Sequence, residues 1–89
     1  EAALIDLEGV GECAVFGLKH PDFGEAVAAA VAPRAGHQLQ EADLIKAARK
    51  RLAGYKTPKR VFLLDALPRN AMGKTDRKAL RAQFADAFA

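Results

Sequence analysis

The chain is 89 residues long, 51% hydrophobic and 28% charged, which suits one small globular domain with a modest core. It contains no apolar run near the roughly 20 residues of a membrane span, no signal-peptide pattern and a single cysteine, so a spanning helix and an internal disulfide are excluded. The net charge of +3 hides an asymmetry: residues 1–45 carry two basic and eight acidic side chains (−6), residues 46–89 twelve basic and three acidic (+9).

Taken in order, Glu1 to Leu7 reads as the end of a helix with Ala3, Leu4 and Leu7 on one side, stopped by Gly9 and Gly11. Glu12 to Leu18 is an almost wholly apolar strand candidate, expected to be covered on both faces, with Cys13 as a buried structural thiol. Lys19 to Gly24 is a loop carrying His20, Pro21 and Asp22. Ala26 to Ala32 is locally ambiguous because alanine favours helix, but it is short, entered from Gly24 and closed by Pro33, which argues for strand. A turn around Gly36 follows. Glu41 to Leu52 is the clearest helix, with Leu44, Ile45, Ala48 and Leu52 in one stripe and Gly54 as its expected C-cap. Lys59 to Asp65 is a third strand. Thr75 or Asp76 can cap a last helix whose Leu80, Phe84, Ala87 and Phe88 form a second stripe. The expected fold is α+β: a small three-stranded sheet packed with about three helices.

Leu67-Pro68-Arg69-Asn70-Ala71-Met72-Gly73-Lys74-Thr75, between the last strand and the last helix, holds the chain's most suggestive chemistry. Pro68 cannot sit inside a central strand, and Gly73 permits backbone angles other residues avoid, so an exposed loop should deliver Lys74 just before the helix. Gly73-Lys74-Thr75 matches the tail of a phosphate-binding P-loop. That motif, however, needs a glycine where Pro68 stands, and proline has no N–H to offer a phosphate. No Ser-His-Asp set is evident, and His20 and His37 lack metal-ligand spacing. One ammonium in a basic field therefore remains, which fits a lid supplying a lysine to chemistry held elsewhere. The basic half draws anions, whether phosphorylated cofactors, an acidic protein face or nucleic acid. Nucleic acid is not expected, since aromatic and basic residues are not interleaved.

Leu67 to Lys74 resembles the closing motif of the AMP-forming acyl-CoA synthetases, the adenylate-forming superfamily. The resemblance runs back through Gly54-Tyr55-Lys56-Thr57-Pro58-Lys59-Arg60-Val61 and His20-Pro21-Asp22-Phe23-Gly24-Glu25-Ala26-Val27, covering nearly the whole chain. It implies that residues 1–89 are a C-terminal lid domain without the N-terminal ATP- and acyl-binding domain and hinge. A first residue that is not methionine agrees. The resemblance further implies acyl-adenylate formation from a carboxylic acid and ATP with Mg²⁺, then transfer to coenzyme A. The residue matching Lys74 would serve the first step on a loop supported by Pro68, Arg69, Asn70 and Gly73. The whole domain would rotate for the second.

Arg49 and Lys50 match positions that contact coenzyme A phosphates in some relatives, a solvated helix face being the alternative. The implied partners are the enzyme's own N-terminal domain, the acid, ATP and coenzyme A. Pro68-x-x-x-x-Gly73-Lys74 also resembles the pattern read by lysine acetyltransferases in the family, with a deacetylase to reverse the mark. The wording is similar to malonyl- and methylmalonyl-CoA synthetases, although Thr75-Asp76-Arg77-Lys78 departs from their usual continuation. A reducing, cytoplasmic setting is expected from the single cysteine. The non-enzymatic alternative is a free-standing basic module docking an acidic partner or nucleic acid.

Overall fold

Ala26 to Ala32 is strand, and it lies in the middle of the sheet, where helix propensity yields to packing on both sides. The computed structural model describes residues 2–22, 24–52 and 54–88, so Glu1 of the first expected helix and Phe23 of the His20–Val27 motif lie outside the described residues. The elements are α1 (Ala2–Ile5), β1 (Val10–His20), β2 (Gly24–Pro33), α2 (Glu41–Arg49), a 3-10 turn (Gly54–Lys56), β3 (Arg60–Leu63) and α3 (Arg77–Gln83). The sheet order is β1-β2-β3. β1 and β2 pair antiparallel from Val10 opposite Pro33 to His20 opposite Gly24. β2 and β3 pair parallel from Ala28 opposite Arg60 to Val31 opposite Leu63, the crossover running through α2.

Side chains alternate across a strand, so the sheet builds two cores. On one face Ala14, Phe16, Leu18, Ala28, Ala30 and Ala32 meet Leu67 and Leu80, with Phe62, Phe84 and Phe88 packed around them. On the other, Ala29, Val31 and Val61 meet Leu4, Leu44 and Ala48. Leu44, Ala48 and Leu80 of the two stripes read from the sequence are buried, and Ile45, Leu52, Phe84, Ala87 and Phe88 pack partly buried against the same cores. β2 is covered on both faces, while α2 lies against β3 and α3 against β1.

Val10 faces the α2 side together with Cys13 and Val15, which strict alternation forbids. A bulge between Val10 and Glu12 resolves it by inserting Gly11 as an extra residue. A Cβ on Gly11 would sit 3.1 Å from the Ala32 carbonyl oxygen, a tight approach that favours glycine at the bulge. Cys13 is half-buried rather than fully buried, and burial pushes its thiol pKa up, away from nucleophilic use.

Four expectations are corrected. α2 is closed by Lys50 rather than Gly54, because Arg51 and Leu52 N–H groups both reach the Ala48 carbonyl at 3.0 Å; Gly54 opens the 3-10 turn. α3 stops at Gln83, and turns beyond it carry Phe84, Ala87 and Phe88 onto the core. His20 ends β1 instead of lying in a loop: its Nδ1 accepts the Asp22 N–H at 3.0 Å and its ring lies 5.2 Å from that of Phe88. β1 and β2 extend to His20 and from Gly24, leaving a tight hairpin where a longer loop was expected.

The first residue of each long helix reaches a strand at the rim of the sheet. Glu41 opens α2, and its Oε2 accepts the Val61 N–H of β3 at 2.9 Å and the Arg60 Nε–H at 2.7 Å. Arg77 opens α3 and donates from Nε to the Val15 carbonyl of β1 at 3.1 Å. Burial alone would raise the Glu41 carboxyl, but the hydrogen bonds from Arg60 and Val61 and the Arg60 charge outweigh it and hold the group below its ordinary value. A carboxyl depressed in the folded state stabilises the fold above its unfolded pKa, and this contribution is lost as pH falls through the lower folded value. Both side chains are over a third exposed, so the contribution is at most about 1 kcal/mol. Glu41→Gln should lower stability by about that much at pH 7 and leave it unchanged below the folded pKa. Denaturant unfolding at the two pH values measures the difference.

Candidate catalytic loop

Leu67 is buried in the α3-side core and fixes the point where the chain leaves the sheet. Beyond it the chain makes a small hairpin. Arg69 and Thr75 bridge antiparallel, and the Pro68 carbonyl accepts the Asp76 N–H at 2.8 Å. Inside that closure Asn70 organises the tip. Its main-chain N–H donates to the Lys74 carbonyl at 2.8 Å, and its own carbonyl accepts from Gly73 at 2.9 Å. Its side-chain Oδ1 accepts the N–H groups of Met72 (2.9 Å) and Lys74 (3.2 Å). Gly73 sits at φ +79°, a conformation that strains any L side chain although open space surrounds the position.

Both main-chain groups of Lys74 are therefore tied to Asn70, while the residue itself is exposed. That is an ammonium on a fixed stalk. Arg69 adds a brace: Nη1 donates to the Gly73 carbonyl at 3.0 Å, and Nη2 donates to Glu12 Oε1 of β1. Asp76, one of the two expected caps, is the cap observed, accepting the Ala79 N–H at 3.0 Å. Asp76→Ala should cost about 1 kcal/mol and loosen the exit of the loop, read as a lower denaturant midpoint. The structure thus gathers Pro68, Arg69, Asn70, Gly73 and Lys74 into one hydrogen-bonded unit.

A family model for the AMP-binding enzyme C-terminal domain matches residues 1–74, ending on Lys74. The chain belongs to the AMP-binding enzyme C-terminal domain family. This AMP-binding C-terminal domain is 42% identical over 91 residues to the probable CoA ligase CCL8 of Humulus lupulus, covering 91% of the chain and 15% of that protein. It is 36% identical over 91 residues to the malonate–CoA ligase of Arabidopsis thaliana, again covering 91% and 15%. It superposes with a TM-score of 0.94 and 39% identity on apo MatB from Rhodopseudomonas palustris, covering all of this chain and 18% of that one. The chain thus spans under a fifth of the length of the relatives it matches.

Within this C-terminal domain Arg49 and Lys50 are exposed at the end of α2, in the helical layer across the sheet from α3, so they do not join the Lys74 unit. Sequence reasoning missed Glu12 and Arg77 as contacts of this region. A lone carboxylate at the start of an apolar strand was the only signal for Glu12; nothing marked Arg77. Among the described residues no group of three or more His, Cys, Asp or Glu side chains is placed to hold a metal, and no helix is long and apolar enough to cross a membrane.

Proposed function

We propose that this chain is the lid domain of an ATP-dependent, AMP-forming acid–CoA ligase, and that Lys74 is the residue it delivers to acyl-adenylate formation. The observation that carries the reading is the stalk of Lys74, tied at both N–H and carbonyl to Asn70 with the side chain exposed, in a domain whose relatives are CoA ligases. In that reaction a carboxylate oxygen attacks the α-phosphorus of ATP and pyrophosphate leaves. The two reacting groups repel each other, and an ammonium between them offsets the repulsion most strongly as charge develops in the transition state. The thiol of coenzyme A then attacks the acyl carbon and AMP leaves. A larger domain would hold ATP, its Mg²⁺ and the acid, and the lid would rotate between the steps.

On this reading Arg49 and Lys50 are the candidates for coenzyme A phosphates, as exposed cations at the end of a helix. Malonate is the first acid to try, given the Arabidopsis relative. Acetylation of Lys74 by a cytoplasmic acetyltransferase would remove the charge and stop the first step, and a deacetylase would restore it. The test supplies the full-length protein with ATP, Mg²⁺, coenzyme A and an acid panel headed by malonate. Acyl-CoA, AMP and pyrophosphate should form together. The 89-residue chain alone should release no pyrophosphate, and release by it would overturn the lid assignment.

A further inference from the structure

Lys74 lies between two arginine contacts to a single strand. Five residues before it, Arg69 forks: Nη1 holds the Gly73 carbonyl, next to the lysine, and Nη2 holds Glu12. Three residues after it, Arg77 donates to the Val15 carbonyl. Glu12 and Val15 both belong to β1, whose alternation puts Glu12 on the same face as Ala14, Phe16 and Leu18, the face that α3 covers. Leu67 in the core and α3 set the two ends of the loop, and the hydrogen bonds to Asn70 fix the shape of its tip. Arg69 adds the side-chain contact that ties the tip itself to β1.

We infer that Glu12 is a positioning residue for Lys74: through Arg69 it clamps the Gly73 end of the loop to β1 and so sets where the ammonium is presented. This rests on the reading of Lys74 given above. The Glu12 and Arg69 side chains are 34% and 50% exposed, a setting in which an ion pair adds little to stability. Its effect should therefore appear in the geometry of one step rather than in the melting of the domain, since misplacing a reacting group by about 1 Å can cost as much as 10²-fold.

The experiment uses the full-length enzyme carrying Glu12→Ala, Arg69→Ala, both together, and each of these in a Lys74→Ala background. Glu12→Ala should lower kcat for adenylation about tenfold while KM for ATP and acid stays within about twofold. Thioester formation from presynthesised acyl-adenylate should be unchanged. The melting midpoint should move by no more than about 2 °C. Arg69→Ala should slow adenylation at least as much, with the double variant no slower than Arg69→Ala alone. With Lys74 already removed, Glu12→Ala should have no further effect.

The clamp is overturned if Glu12→Ala leaves adenylation at the parental rate, if its loss multiplies with that of Arg69→Ala, or if both half-reactions fall together. Should Glu12→Ala melt early, Glu12→Gln, which keeps the size and removes the charge, is judged by the same criteria. Lys74→Ala separates the two claims. If it slows adenylation while the Glu12 variants do not, only the clamp fails; if it is itself silent, the lysine assignment fails and the clamp with it.

Discussion

Lys74→Ala in the full-length enzyme is expected to slow acyl-adenylate formation by roughly 10²–10³, the usual cost of about 3–4 kcal/mol for removing one preorganised charge from a transition state. The same variant, supplied with presynthesised acyl-adenylate and coenzyme A, should form thioester at close to the parental rate, because carboxylate and α-phosphate no longer have to meet. Lys74→Arg should not rescue adenylation. A guanidinium is planar and wider than an ammonium, and it cannot take the place of a compact point charge on a stalk of fixed length. A purely structural lysine predicts the opposite on each count: both half-reactions would fall with stability, and arginine would substitute. Equal losses in the two steps, from a variant that melts normally, would remove Lys74 from the mechanism.

Leu80→Ala should give the largest loss of stability. Leu80 is fully buried, and it is the residue through which α3 enters the core under the loop. Around it Phe62 and Phe84 stack with centroids 3.9 Å apart, and Phe16 lies 6.4 Å from each. Such rings cannot easily collapse into a vacated volume, so the truncation should cost about 2–5 kcal/mol. For a domain of this size the total is only about 5–13 kcal/mol, so a large part of the folded population is at stake. Urea unfolding of the 89-residue chain should show the midpoint falling with little change in slope. Leu80→Met, which keeps the volume, should cost under about 1.5 kcal/mol. A loss below about 1 kcal/mol for the alanine variant would mean that α3 is not anchored where the packing puts it.

Much of this was legible in the residues themselves. The stripes Leu44-Ile45-Ala48-Leu52 and Leu80-Phe84-Ala87-Phe88 are local periodicities, and all eight residues reach the cores, although Phe84, Ala87 and Phe88 do so from turns beyond α3. Pro68 and Gly73 bracket the loop because their backbone chemistry leaves few other uses. The residues that escaped were those whose role depends on partners far along the chain. Glu12 and Arg69 are 57 positions apart, Val15 and Arg77 62, and no pattern in either neighbourhood announces the other. Gly11 escaped for a related reason: it looked like a helix stop, whereas the register of β1 against β2 makes it the extra residue of a bulge. The end of α2 was misplaced because Gly54 is a good cap by type, yet the carbonyl of Ala48 had already drawn in the next N–H groups.

The side chains at the sheet rim also bear on how the domain behaves among its own copies. An open strand edge is a template for a foreign strand, and β1, with 11 residues, is a long one. Arg77 occupies a carbonyl near its middle, and on the opposite rim Glu41 occupies an amide of β3. A charged group seated on the hydrogen-bonding line blocks strand-to-strand stacking at the cost of a single residue, and it places that guard on the helix that also buries the adjoining face. Loss of helix docking and loss of the guard are therefore one event. A domain whose helix comes loose from its core should become, in the same motion, prone to aggregate.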